Sequence, residues 1–143
     1  MKIRKLTSVL LLLILFLFAC SDRTIVTDRK EMKGNLGDTY GFTSFHLTID
    51  TKMEKQSVLV MYEEKPKRIE AEYENKEKGI TSFGNKAMKK LDELFKSLEL
   101  TSDMAEEDMI KTISETFEIS DYKMIKLSIK FVGHDAKEIQ MSK

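Results

Sequence analysis

Glu70, Glu72 and Glu74 stand at every second position of "RIEAEYEN". Carboxylates so spaced on an extended chain share one face, where they can hold a cation or divide into a general acid and a general base. The same row also reads as a solvated strand face paired with lysines. His46 and His134 are the only histidines, and neither has a second histidine or a cysteine at a ligand spacing such as H-x-x-x-H, so no metal site is expected. His46 reads as a solvated sheet position and His134, in "VGHD", as a turn residue. Glu106, Glu107 and Asp108 are explained by the start of a helix. "SFGN", residues 82–85, has one glycine before a helix and lacks the lysine and hydroxyl of a phosphate cradle. No serine stands in G-x-S-x-G. The expectation is a chain with no catalytic residue, no cofactor and no metal.

The elements that must carry these side chains are legible from hydrophobic period. "FTSFHLTID" puts Phe45, Leu47 and Ile49 on one side and Ser44, His46, Thr48 and Asp50 on the other, the pattern of a half-buried strand. "SVLVMYEE" is apolar on both sides, Val58, Val60 and Tyr62 against Leu59 and Met61. "RIEAEYEN" alternates Ile69, Ala71 and Tyr73 with its glutamates, and Pro66 in "EKPK" turns the second strand into the third. From Asn85, a candidate N-cap, Ala87, Met88, Leu91, Leu94, Phe95 and Leu98 recur at helical spacing. A second helix buries Met109, Ile110, Ile113 and Phe117, with Asp103 and Glu106 in the relation of a capping box. "YKMIKLSIKF" alternates again, and "AKEIQM" returns as a short last strand. The order is βββααββ. It predicts an α+β two-layer sandwich, an antiparallel sheet of about five strands with two helices on one face. The other face is wet, except that Leu59, Met61 and Met124 fall on it beside His46. An apolar patch there is a candidate interaction surface, unless the stretch before the sheet or the 76–84 loop covers it.

The single cysteine, Cys20, closes "LTSVLLLLILFLFAC". Lys2, Arg4 and Lys5 precede an uncharged stretch over residues 6–19, the arrangement of an export signal and too short for a spanning helix of about 20 residues. Leu17, Phe18, Ala19 and Cys20 resemble a bacterial lipobox. That resemblance implies cleavage before Cys20 and a diacylglycerol on its thiol, a stable anchor because two acyl chains are buried where one holds only marginally. A lone cysteine allows no internal disulfide. The expected layout is a lipoprotein signal peptide over residues 1–19, a lipid-anchored tether over 20–41, in which residues 24–27 can alternatively pair as an edge strand, and one α+β domain over 42–143. The leader holds three of the 24 basic residues and no acid, so the rest of the chain carries 21 basic and 24 acidic residues, net −3. Nucleic acid is therefore not expected as a partner, since it calls for a basic stripe.

"GFTSFHLTID", "IEAEYEN", "KAMKKLDELFKSLEL" and "DYKMIKLSIKF", in this order behind a lipobox, resemble the YusW-like lipoproteins of Gram-positive bacteria. The resemblance covers most of residues 41–140. It implies an extracytoplasmic, membrane-anchored domain and brings no cofactor or catalytic residues with it.

The expected function is a membrane-anchored extracytoplasmic lipoprotein on the outer face of the cytoplasmic membrane. It would act as a non-enzymatic binding or interaction module of the cell envelope, contacting an envelope protein or an extracellular ligand. The alternative is a small envelope hydrolase or metal-dependent enzyme using the acidic strand face, which needs a cleft with converging titratable groups. A structural spacer is a third reading.

Overall fold

In the computed structural model, residues 23–27 and 35–143 are described. The expected leader, Cys20, and residues 21–22 and 28–34 of the expected tether lie outside the described residues. Among the described residues, seven strands and two helices follow one another: β1 (Ile25–Val26), β2 (Phe42–Thr51), β3 (Val58–Lys65), β4 (Arg68–Asn75), β5 (Ile80–Phe83), α1 (Gly84–Leu98), α2 (Glu106–Thr116), β6 (Tyr122–Phe131) and β7 (Lys137–Ser142). The class is α+β and every pairing is antiparallel.

The sheet runs β1-β4-β3-β2-β6-β7, and β5 also pairs with β4. The expectation of about five strands in the order βββααββ is thus corrected to seven strands in the order βββββααββ. Both added strands are short and share one edge of β4. Phe83 to Ile80 run beside Glu72 to Asn75, while Ile25 and Val26 stand opposite Glu70 and Ile69. A strand edge presents unpaired amides and carbonyls that need partners, and these two segments supply them. β1 is the edge strand that residues 24–27 offered as an alternative to the tether, whereas the four residues of β5 are too few to show a period and fall within the expected 76–84 loop.

Burial alternates along the strands as the period requires. Phe45, Leu47 and Ile49 of β2, Val58, Val60 and Tyr62 of β3, Ile69, Ala71 and Tyr73 of β4, and Ile125, Leu127 and Ile129 of β6 are all buried. A register shift between Phe42 and Ser44 inserts an extra residue, as a bulge does, and turns Phe42 inward as well. These side chains join Ala87, Met88, Leu91, Phe95 and Leu98 of α1 and Met109, Ile110 and Ile113 of α2 in one core. Each large apolar side chain so buried contributes about 1.5–3 kcal/mol.

The helix starts differ from expectation. Phe83 is the N-cap of α1, without a side-chain cap bond. Asn85 instead accepts the Thr27 amide on Oδ1 at 2.6 Å and donates from Nδ2 to the Thr27 hydroxyl at 2.7 Å, which holds the end of β1 against α1. Gly84, with φ +55°, lies so close beneath β1 that a Cβ there would stand 2.6 Å from the Ile25 carbonyl oxygen. Ala105 caps α2, again without a side-chain bond, so Asp103 and Glu106 do not form a capping box. Glu106, Glu107 and Asp108 do occupy the first turn, where the helix dipole favours them.

Within the stretch expected to be a tether, residues 35–41 pack on the core. The Tyr40 ring stacks on Phe42 at 5.7 Å and meets Phe95 edge-on at 5.1 Å, and its hydroxyl donates to Asp92 at 2.6 Å. The buried carboxylate of Glu64 accepts the Gly37 amide at 3.1 Å and the Tyr62 hydroxyl at 3.0 Å. The folded body therefore extends to the N-terminal side of Phe42 and takes in residues 35–41.

Candidate binding face of the sheet

Strand pairing places the outward residues in rows. In one row, Phe83, Glu72, Met61, His46, Ser128 and Glu138 follow one another from β5 to β7. In the next, Thr81, Glu74, Leu59, Thr48, Lys126 and Gln140 do so. Glu70, Glu63, Ser44 and Lys130 form a third, and Asp50, Met124 and Ser142 a fourth. All of them lie on the side opposite the buried row, and none belongs to the core.

The candidate residues divide between two places. Met61 stands directly opposite His46, with Leu59 one row along opposite Thr48. Met124 is further off, opposite Asp50. Leu59, Met61 and Met124 are each half-buried, so long neighbours cover part of them. Residues 76–84 do not lie over them, because β5 pairs at the β4 edge. It adds Phe83 to the same face, a residue whose outward placement no sequence period disclosed.

The face is electrostatically two-sided. On β3 and β4 it carries Glu63, Glu70, Glu72 and Glu74; on β6 it carries Lys126 and Lys130. Glu70 is neutralised by Arg68, 2.8 Å from Oε1, and by Lys65, 3.3 Å from Oε2. The hydrogen bond from Lys65, at 2.9 Å, holds the Glu63 carboxyl below the usual carboxylate range despite partial burial, and nearby His46 adds a smaller pull. His46 Nε2 is 3.4 Å from Glu63 Oε1 but poorly aligned, and makes no hydrogen bond there. Glu72 is moved the other way: burial, then the negative charge of Glu74, raises its carboxyl above the ordinary value.

A depression of about 340 Å³ opens on this face, lined by Thr48, Asp50, Lys55, Gln56, Met124 and Lys126. The β2–β3 loop forms its rim. Asp50 Oδ1 accepts the Gln56 amide at 2.9 Å. Lys76 donates to the Lys55 carbonyl at 2.9 Å and pairs with Glu54 at 3.3 Å. Of these lining residues, Lys55 and Gln56 sit in an irregular loop and could be placed only by the tertiary contacts. None of Glu70, Glu72 or Glu74 lines it. His134 lies in the exposed β6–β7 turn beside Gly133, and its amide donates to Phe131 at 3.2 Å. Among the described residues no group of three or more His, Cys, Asp or Glu is arranged to hold a metal ion, and no helix is long and apolar enough to cross a membrane.

No curated protein and no solved structure matches the chain. A family model described as YusW-like protein matches residues 43–132, from the second residue of β2 to the turn after β6, and so takes in four full strands, most of β2, and both helices. With well over half of its length matched, the chain belongs to the YusW-like protein family.

Proposed function

We propose that the protein is exported, is anchored by lipid on Cys20 to the outer face of the cytoplasmic membrane, and works there as a non-enzymatic binding module. Its partner, an envelope protein or an extracellular ligand, meets the outer sheet face. The observation that carries this reading is the two-sidedness of the sheet. One side shares a core with both helices, while the other presents Leu59, Met61 and Phe83 among charges, and apolar groups set in a polar rim mark interaction surfaces.

The enzymatic reading has one observation in its favour, the raised carboxyl of Glu72, since a general acid needs such a shift. Against it, Glu70 is already ion-paired, and the depression lies across the sheet from the glutamate row. A concave site and converging acids do not coincide, and the binding reading is preferred.

A photo-crosslinking residue at position 61, activated on living cells, is expected to give a discrete adduct that disappears with Leu59→Glu. The same residue at position 132, exposed in the β6–β7 turn, is expected to give none. Equal patterns from both positions would remove the outer face from the proposal. The anchor has its own check. Cys20→Ser is expected to abolish incorporation of labelled palmitate and to leave the leader uncleaved, and unchanged labelling would refute lipidation at Cys20.

A further inference from the structure

We propose that the depression beside Met124 is a binding site for a singly charged phosphodiester group. Two lysines line it, and they come from separate elements, Lys55 from the β2–β3 loop and Lys126 from β6. Elsewhere near this face Lys65 is matched by Glu63 and Glu70, Arg68 by Glu70, and Lys76 by Glu54, while Lys130, like Lys126, has no acid partner among the described residues but lies outside the depression. Lys126 has no such carboxylate across from it, because its cross-strand neighbours are Thr48 and Gln140. Among the described residues, neither the Lys55 nor the Lys126 ammonium is paired with an acid.

Asp50 is the only acid in the lining and already accepts the Gln56 amide, so the site carries a net charge of one positive unit and suits a monoanion. A lysine acts as a compact point charge, whereas a planar carboxylate is matched best by the fork of an arginine. Two lysines approaching from different elements fit a tetrahedral group that offers oxygens in several directions. The Thr48 hydroxyl and the Gln56 side-chain amide add neutral donors, and Met124 supplies an apolar surface for an ester arm. The rim is braced by Lys76 on the Lys55 carbonyl, so Lys55 is mounted on a tied loop. The volume, about 340 Å³, falls at the lower end of small-ligand sites.

This inference rests on the outer face being the working surface, and it is tested separately from it. The full chain, labelled with ¹³C at its methionine methyls, is titrated with dimethyl phosphate and, as a neutral isostere, trimethyl phosphate. The Met124 methyl, assigned through Met124→Leu, is expected to shift and saturate with dimethyl phosphate only. Lys126→Gln is expected to weaken that binding about tenfold or more, and Lys130→Gln, two rows beyond the depression, to leave it within about twofold. Repeating the titration in nanodiscs of phosphatidylglycerol tells the two sources of the group apart. A methyl already displaced before any addition places the phosphodiester in a lipid headgroup, whereas one that moves only on addition makes it a soluble ligand. No shift in either setting, an equal response to trimethyl phosphate, or equal losses from Lys126→Gln and Lys130→Gln would overturn the site. Those results would leave the adduct from position 61 in place, whereas a lost adduct with an intact titration would remove the partner and keep the site.

Discussion

Phe95→Ala is expected to lower the unfolding free energy by about 3–5 kcal/mol, a large part of the roughly 5–15 kcal/mol that holds a domain of this size. Phe95 is 4% exposed and its ring lies 5.1 Å from Tyr40, 5.1 Å from Phe42, 5.0 Å from Phe45 and 5.3 Å from Tyr62. It ties α1 to β2, to β3 and to the segment 35–41 in one cluster. Truncation removes the transfer free energy of the ring, leaves a cavity, and loses edge-on aromatic pairs worth about 0.5–1.5 kcal/mol each. The measurement is urea unfolding followed by circular dichroism, with the midpoint expected to fall and the slope to stay constant. A loss below about 1 kcal/mol, less than truncating an isolated buried side chain costs, would mean that the cluster is not a centre of the core. Leu94→Ala, on the same helix but only partly buried, is the comparison and should cost clearly less.

The second large effect concerns Glu64, a carboxylate 8% exposed on the core side of β3. Its Oε2 accepts both the Gly37 amide and the Tyr62 hydroxyl. Glu64→Ala removes the acceptor of two buried hydrogen bonds, and at about 1–3 kcal/mol for each donor deprived of its acceptor the expected loss is about 2–4 kcal/mol. Glu64→Gln keeps an amide oxygen with two lone pairs at the same place and is expected to cost about 1 kcal/mol or less. The contrast between the two variants separates the role of acceptor from that of charge. Because the Gly37 bond tethers the segment 35–41, Glu64→Ala should also speed amide exchange at Gly37 and Gly41, the latter bonded to the Gly37 carbonyl at 2.8 Å. Alanine and glutamine variants of equal stability would show that this segment is held by its aromatic contacts alone.

Much of the fold was readable because its signals are local. Alternation in "FTSFHLTID" and "YKMIKLSIKF" told which side chains of β2 and β6 turn inward, and the structure buries Phe45, Leu47, Ile49, Ile125, Leu127 and Ile129 accordingly. The spacing of Ala87, Met88, Leu91, Phe95 and Leu98 marked the buried stripe of α1. The Pro66 turn joins β3 to β4 with Lys65 opposite Arg68. The outward placement of Leu59, Met61, Met124 and His46 also followed from period alone, since a side chain two positions along a strand shares its face.

What escaped were the features made by residues far apart in the chain. The capping role expected of Asn85 is a local rule, but its amide is engaged by Thr27, 58 positions away, and a tertiary bond displaced the local one. β5 exists because the free edge of β4 needed backbone partners, and its four residues carry no period of their own, whereas β1 answers to the edge strand that residues 24–27 offered as an alternative. The separation of Met124 from Met61 was set by register, which puts one opposite Asp50 and the other opposite His46, and the depression arose where the β2–β3 loop folds beside β6. The sequence by itself determined the class, the inward and outward faces and the helix stripes, because each is written within about ten neighbouring residues. Only the tertiary structure decided which strand lies beside which, where residues 35–41 dock and which outward side chains meet, because pairing and packing depend on partners that no local pattern names.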